Sequence, residues 1–315
     1  MTIHYLVTGG AGFVGSSIVE MLLERGERVR VADDLSTGKR ANLLGLLDRI
    51  EFLEGDLADL EVARRAVAGV DYVIHQAAIP SVPRSIADPL GNNRAGIQAT
   101  LNLLVAAREA GVRRLVYASS SSVYGEAVNG AKREDMPTHP LSPYAVSKLA
   151  AERYCLSFHT VYGFEAVALR YFNVFGPRQD PTSEYAAVIP RFITALLGGR
   201  RPTIYGDGEQ TRDFTFVGNI AAANLRALES PGAAGHAFNI AMGQATSLNQ
   251  LVSVLREMTG ARDIEPIYAE PRLGDIKHSV ADVSKARQLL GFAPRVRLED
   301  GLRQTIAWFD KHHTC

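Results

Sequence analysis

The sequence predicts an α/β fold: a doubly wound, mainly parallel sheet followed by a smaller C-terminal α/β lobe. Three observations point there. Short β-branched runs alternate with helix-period stretches through the first half. A glycine-rich segment stands between the first strand-like run and the first helical pattern. Loops rich in Gly and Pro break the second half into shorter helical units. The chain of 315 residues, 46% hydrophobic and 22% charged, is long enough for two lobes and composed like a folded globule.

The elements follow in order. Residues 3–8 read as the first strand, and Val14, Ile18, Met21 and Leu22 then recur at helical spacing. Further strands are expected at 29–32, 51–53, 72–75, 115–118 and 166–170, with helices at 60–67, 98–110 and 144–161. Alternating strands and helices imply right-handed crossovers and helices on both faces of the sheet. Beyond that, helical patterns stand at 188–197, 219–228, 248–258 and 302–309, separated by loops at 198–202, 206–208 and 231–235.

Composition excludes several classes. The 34 Lys+Arg balance 34 Asp+Glu, so the basic excess that a nucleic-acid footprint needs is missing. Two distant cysteines, Cys155 and Cys315, make neither a disulfide scaffold nor a metal site, and Cys155 reads as helix core. The eight histidines are scattered, and His312-His313 reads as solvated, so no metal is expected. Met1-Thr2 leads straight into a strand-like run, and no apolar run approaches the roughly 20 residues of a membrane span. A soluble, cytoplasmic protein is expected.

Thr8-Gly-Gly-Ala-Gly-Phe-Val-Gly15 carries Gly9, Gly12 and Gly15 three residues apart. Such a turn lets a backbone approach a pyrophosphate seated on a helix N-terminus. Asp33 closes the second strand, where a carboxylate accepts hydrogen bonds from an adenosine ribose. Asp33 and Asp34 would repel a 2′-phosphate, which favours NAD over NADP. Asp56-Leu57 follows the third strand, and Asp56 either flanks an adenine or caps the next helix.

Tyr144 and Lys148 stand four apart and share one face of a predicted helix. An ammonium beside a phenol favours the phenolate, which suits proton transfer to or from a sugar hydroxyl. Ser119 to Ser122 follow the fifth strand directly, at the strand ends where such sheets hold ligands.

Taken together, these residues resemble the extended short-chain dehydrogenase/reductase superfamily over essentially the whole chain. The motifs are the glycine turn, His75-Gln-Ala-Ala78, Ser119-Ser-Ser-Ser-Val-Tyr-Gly125, Ser142-Pro-Tyr-Ala-Val-Ser-Lys148 and Leu169-Arg-Tyr-Phe-Asn-Val-Phe-Gly-Pro177. Tyr205-Gly-Asp-Gly208, Thr211-Arg-Asp-Phe214 and Arg272-Leu-Gly-Asp275 follow. The nearest branch is the nucleotide-sugar 4-epimerases that act on UDP-hexoses.

The resemblance implies a Rossmann-type NAD-binding domain over 1–170 and a mainly nucleotide-sugar-binding lobe over 171–315, some segments of which can return to the first sheet. It implies Tyr144 as the base at the sugar 4-hydroxyl. Lys148 would hold the nicotinamide ribose and depress the tyrosine, and Ser120 would bond the reacting hydroxyl. The cofactor would lie along Gly9, Gly12, Phe13, Val14, Gly15, Asp33, Leu35, Thr37, Gly38, Asp56, Leu57, Gln76, Ala77, Ala78 and Tyr171. The UDP-sugar would meet Ser81, Ser121, Ser122, Asn173, Arg212, Arg272 and Asp275, with Ala187, Val188, Thr203 and Tyr205 around the uracil. A homodimer through helices 98–110 and 144–161 is expected on the same ground.

Residues after the fifth strand separate the branches. Dehydratases of this superfamily carry Asp-Glu beside the catalytic hydroxyl, and decarboxylases usually a Glu. Here Ser121 and Ser122 fill those places and no acid comes before Glu126. Ser279, four residues after Asp275, either leaves room for an N-acetyl group or is simply a polar strand residue. Gln179-Asp-Pro181 and the run 185–190 resemble the N-acetylhexosamine-preferring branch. The expected substrates are therefore UDP-GlcNAc/UDP-GalNAc, with UDP-Glc/UDP-Gal also open. The alternatives are a UDP-glucuronate 4-epimerase or decarboxylase, a 4-keto-sugar reductase, and a dinucleotide-sensing protein without catalysis. No clear basic residue stands out for a sugar carboxylate. Gly96 stands where the family usually places an Asn; either Asn92 and Asn93 substitute for it or the helix start is displaced.

Overall fold

The computed structural model describes residues 2–126, 130–181, 187–271 and 277–313. Its strands are β1 (His4–Thr8), β2 (Arg28–Asp33), β3 (Glu51–Glu54), β4 (Tyr72–His75), β5 (Arg114–Ser120) and β6 (Ala166–Tyr171), then β7 (Val174–Phe175), β8 (Thr203–Tyr205), β9 (Thr211–Arg212), β10 (Thr215–Phe216), β11 (Ala237–Ile240), β12 (Thr246–Ser247), β13 (Ile267–Ala269) and β14 (His278–Ser279). The helices are α1 (Phe13–Glu24), α2 (Leu60–Val67), α3 (Val82–Ala87), α4 (Pro89–Asn93), α5 (Ala99–Glu109), α6 (Pro143–Tyr162), α7 (Val188–Leu197), α8 (Val217–Glu229), α9 (Leu248–Thr259), α10 (Ser284–Leu290) and α11 (Leu298–His313).

Seven strands form one parallel sheet in the order β11-β6-β5-β4-β1-β2-β3. The doubly wound sheet is the one the alternating pattern predicts. All five residues of β1 are buried, because helices cover both faces of the sheet. On one face Ile18 and Leu22 of α1 and Ile220 of α8 pack against Val7, Val116 and Leu169. On the other, Val62 of α2, Leu103 of α5 and Cys155 of α6 pack against Leu6, Val73 and Leu115. Each fully buried Leu, Ile or Val here stabilises the fold by roughly 1.5–3 kcal/mol. A separate core joins Phe192 of α7, Leu251 of α9 and Phe309 of α11 to Phe175 and Phe216.

The edge strand β11 comes from residues 237–240, so the second half contributes to the first sheet. The periodicity does not reveal it: four residues behind a Gly-rich loop carry too little alternation. The two-residue strands β7, β9, β10, β12 and β14 escape for the same reason. Helix α6 is well specified locally. Ser142 caps it by accepting from the Ala145 amide at 3.2 Å, Pro143 opens its first turn, and Gly163 closes it at φ 66°.

Candidate active site

The glycine turn leaves β1 and enters α1 with no room for side chains. A Cβ on Gly15 would lie 2.1 Å from the Gly9 carbonyl oxygen, and one on Gly9 would lie 2.7 Å from the Ala77 nitrogen. Gly9 also holds φ 63°, which favours glycine. Gly12 sits at the N-cap of α1 without a side-chain cap, and no acid occupies the first turn. The helix therefore presents bare N–H groups and the positive end of its dipole.

Asp33 braces this turn. One carboxylate oxygen accepts from the Ala11 amide and the other from the Leu35 amide, each at 2.9 Å. Burial raises its pKa, and those two amides pull it back. Gly38 must be small here, since its Cβ would come 2.8 Å from an Asp33 oxygen. A carboxylate offers about four lone-pair sites, so acceptor capacity remains for a ribose. Asp56 does not cap α2. Asp59 does, accepting from the Glu61 amide at 2.8 Å, while Asp56 pairs with Arg94 at 2.7 Å. Leu57 is core, 5% exposed. Phe13 and Val14 pack toward the core of the second lobe, and Thr37 is exposed.

His75 sits between two hydroxyls. Thr100 donates to the Gly96 carbonyl at 2.6 Å, so it receives the proton on His75 Nε2 at 2.9 Å. Nδ1 then accepts from Thr8 at 2.6 Å, and Thr8 accepts from the Ala77 amide at 3.3 Å. Burial holds this imidazole neutral, its pKa pushed down to about 3. Beside it the Gln76 amide donates to the Tyr171 hydroxyl at 3.0 Å, and Asn224 joins both. Ala78 follows at the end of the same strand turn, and the Ser81 hydroxyl caps α3 through the Arg84 amide at 3.2 Å.

Ser120, Tyr144 and Lys148 meet where β5 ends. The Ser120 hydroxyl accepts from the Ser122 amide at 3.1 Å and opens a 3-10 turn, Ser121–Tyr124. Lys148 is 5% exposed and donates to the Ala118 carbonyl at 2.7 Å. Its ammonium lies 5.9 Å from the Tyr144 ring centre and 5.1 Å from that of Tyr117. Burial lowers the Lys148 pKa to about 8. The expectation that Lys148 depresses the tyrosine does not describe this arrangement. Burial raises the Tyr144 phenol, and the hydrogen bond with Ser120 is what pulls it back.

The helix that carries this pair is held from several sides. The Ser85 hydroxyl accepts from the Tyr144 amide at 3.0 Å, and the Asn92 amide donates to the Pro143 carbonyl at 3.1 Å. Asn92 is buried and Asn93 is exposed, so only the first reaches α6. Gly96 lies in a π-turn, Arg94–Gln98, and a Cβ there would press within 3.0 Å of Ser147. One turn past Lys148, Glu152 pairs with Arg170 of β6 at 2.6 Å while both are essentially buried. Ser119 donates to the same carboxylate at 2.6 Å.

Asn173, Ala187, Val188, Thr203, Tyr205 and Arg212 line one open cleft. Arg191 and Gln210, which no motif singles out, line it too, as does Phe214 at the end of the Thr211–Phe214 motif. Gln210 donates to the Tyr205 carbonyl at 2.6 Å, and the Arg191 guanidinium stands 5.9 Å from the Tyr205 ring centre. Ser279 is 5% exposed and pairs with Arg212 in the β14–β9 register. Arg272, Asp275 and residues 185–186 lie outside the described residues. Asp213 ties these short strands together, accepting from the amides of Met242, Gly243 and Ala281 at 2.9, 3.0 and 3.2 Å.

A family model described as the NAD dependent epimerase/dehydratase family matches residues 5–241. The chain belongs to that family. It is thus an NAD-dependent enzyme, and the site fits the cofactor: a glycine cradle too tight for Cβ atoms, an uncapped helix N-terminus and a braced carboxylate at the next strand end. The chain is 41% identical over 308 residues to a UDP-glucose 4-epimerase of Mycolicibacterium smegmatis, covering 96% of this chain and 97% of that one. It is 38% identical over 321 residues to a dTDP-glucose 4,6-dehydratase of Streptomyces griseus, covering 100% and 96%. A solved UDP-N-acetylglucosamine 4-epimerase of Methanobrevibacter ruminantium, in complex with UDP-N-acetylmuramic acid, superposes with a TM-score of 0.94 at 42% identity. That match covers 99% of this chain and 100% of that one. Among the described residues, no helix is long and apolar enough to cross a membrane.

Proposed function

We propose that the chain is a 4-epimerase of UDP-hexoses, acting on UDP-GlcNAc/UDP-GalNAc and also on UDP-Glc/UDP-Gal. The observation that carries this reading is the Ser121–Tyr124 turn, which places hydroxyls and no carboxylate beside Ser120 and Tyr144. Elimination needs an acid and a base there; oxidation and reduction at one carbon do not.

NAD would be held by the glycine turn, Asp33 and Lys148, and when bound it supplies the nicotinamide that takes a hydride from C4 and returns it. The chain's own residues manage the proton and the geometry. Tyr144 takes the proton of the 4-hydroxyl as C4 becomes a ketone, and gives it back as the opposite face is reduced. Ser120 bonds the same oxygen and lowers the phenol. Lys148, one turn along the helix, would bond the nicotinamide ribose. Arg212 and Asn173 anchor the diphosphate end, so the sugar turns about its linkage while the nucleotide stays in place. The small Ser279 leaves room for the 2-substituent. Exposed Val146, Tyr154, Val161 and Tyr162 on α6 support a homodimer through α5 and α6.

The test is to incubate the purified protein with UDP-GlcNAc, UDP-Glc and UDP-glucuronate, with and without added NAD, and to identify products by NMR. C4 epimers of the first two are expected. No C4 epimer from any of the three would reject the reading, and carbon dioxide release from UDP-glucuronate would make the chain a decarboxylase.

A further inference from the structure

Lys132 is a lysine that ordinary surface chemistry does not explain. Its backbone pairs with the strand that follows Ser279, donating to the Val280 carbonyl and accepting from the Asp282 amide, both at 2.9 Å. This seats its side chain between that strand and the Ser121–Tyr124 turn, where the residue is only 2% exposed. Among the described residues its ammonium has one long hydrogen bond, 3.4 Å to the carbonyl of Gly125 at the end of the turn. The Tyr124 ring centre is 5.8 Å away. Burial, and after it the neighbouring cation Arg212, lowers the Lys132 pKa to about 8. Among the described residues it forms no ion pair.

A group within the turn itself is also left unsatisfied. The Ser122 hydroxyl oxygen is buried and has no hydrogen-bond partner among the described residues. Buried ammonium and hydroxyl groups without partners are costly, and a neutral ligand oxygen repays little of an ammonium's desolvation. An anion repays more, through a charge-assisted hydrogen bond in a low dielectric. Arg212 already faces the diphosphate end of the proposed site, whereas Lys132 reaches the end of the turn that carries Ser122, beside the reacting hydroxyl.

We propose that Lys132 is a specificity-determining residue that touches substrate: its ammonium, with the Ser122 hydroxyl, receives a carboxylate carried by the hexose of the nucleotide sugar. The inference rests on the UDP-hexose reading of the cleft, and it supplies the basic group that the sequence alone does not single out. Such a carboxylate comes from C6 of a hexuronate or from an acidic group on a ring oxygen, and the two place it differently.

The test is calorimetric binding to the NAD-loaded protein, which needs no turnover and so stands apart from the epimerase assay. The probes are UDP, UDP-glucose, UDP-glucuronate, UDP-GlcNAc and UDP-N-acetylmuramate. Wild-type protein is expected to bind at least one acidic sugar as tightly as its neutral counterpart, and which one tells where the carboxylate sits. In Lys132→Met the acid-to-neutral affinity ratio for that sugar is expected to fall at least tenfold. If both acids bind the wild-type protein more than tenfold more weakly than their neutral counterparts, the proposal is overturned. That arm stands even if the variant does not fold. Equal weakening of UDP and all four sugars in Lys132→Met would assign the ammonium to the diphosphate and also overturn it.

Discussion

The two halves of the proposed site are built by different means. The cofactor side rests on β1, β2, β4 and β5, paired over four or five residues each, and on glycines that no side chain can replace. There the Asp33 side chain braces backbone that the sheet already positions. On the sugar side β9, β12 and β14 have two residues each, and Asp213, just past β9, holds the segments that follow β11 and β14 through three amides. The cofactor side is set by many backbone bonds, and the sugar side by a few buried side chains. Single substitutions should therefore separate the two affinities.

Tyr144→Phe, at the seam between the halves, is expected to have the largest effect. Turnover should fall by about 10²–10⁴-fold, the usual contribution of a general acid–base group, with both dissociation constants retained. A parallel loss of binding would make Tyr144 a packing residue. Gly15→Ala comes next. Its Cβ would meet the Gly9 carbonyl at 2.1 Å, so NAD affinity should fall by more than tenfold while UDP affinity holds, as read by calorimetry. Asp213→Asn does the reverse. An amide facing backbone N–H groups costs about 1–3 kcal/mol, and the loss should appear as weaker UDP-sugar binding with NAD retained. Loss of both affinities together would erase the distinction between the halves.

Smaller effects sharpen the sugar side. Ser279→Tyr should suppress kcat/KM for UDP-GlcNAc more than for UDP-glucose, by about tenfold for a clash of this size; equal effects would leave Ser279 a plain strand residue. The pH profile reports on the seam. Burial sets Lys148 near 8, so the ammonium is present below that value and lost above it. Turnover should decline as pH rises through about 8, and Lys148→Arg should remove that limb if it folds.

Much of this arrangement is legible in the sequence because its chemistry is local. The glycine turn, the Ser119–Ser122 run and the Tyr144/Lys148 spacing each lie within a few residues, and the long strands stand out as continuous apolar runs because helices bury both of their faces. Asp213 appears in the sequence only as part of a motif, because its partners Met242, Gly243 and Ala281 stand 29 to 68 positions away. Lys132, between Ala131 and Arg133, looks like any surface charge until the fold buries it. The direction of the Tyr144 shift is hidden for a related reason: spacing shows the lysine, but only packing shows that burial raises the phenol and that Ser120 is what pulls it back.

The most direct measurement follows the hydrogen at C4. UDP-GlcNAc labelled with deuterium at C4 should yield an epimer that keeps the label at C4, in unlabelled water and without added NAD, because the hydrogen leaves and returns within one site. Loss of the label to solvent, or an epimer formed only by inversion at another carbon, would contradict the assignment of Tyr144, Ser120 and Lys148 to a reversible oxidation at C4.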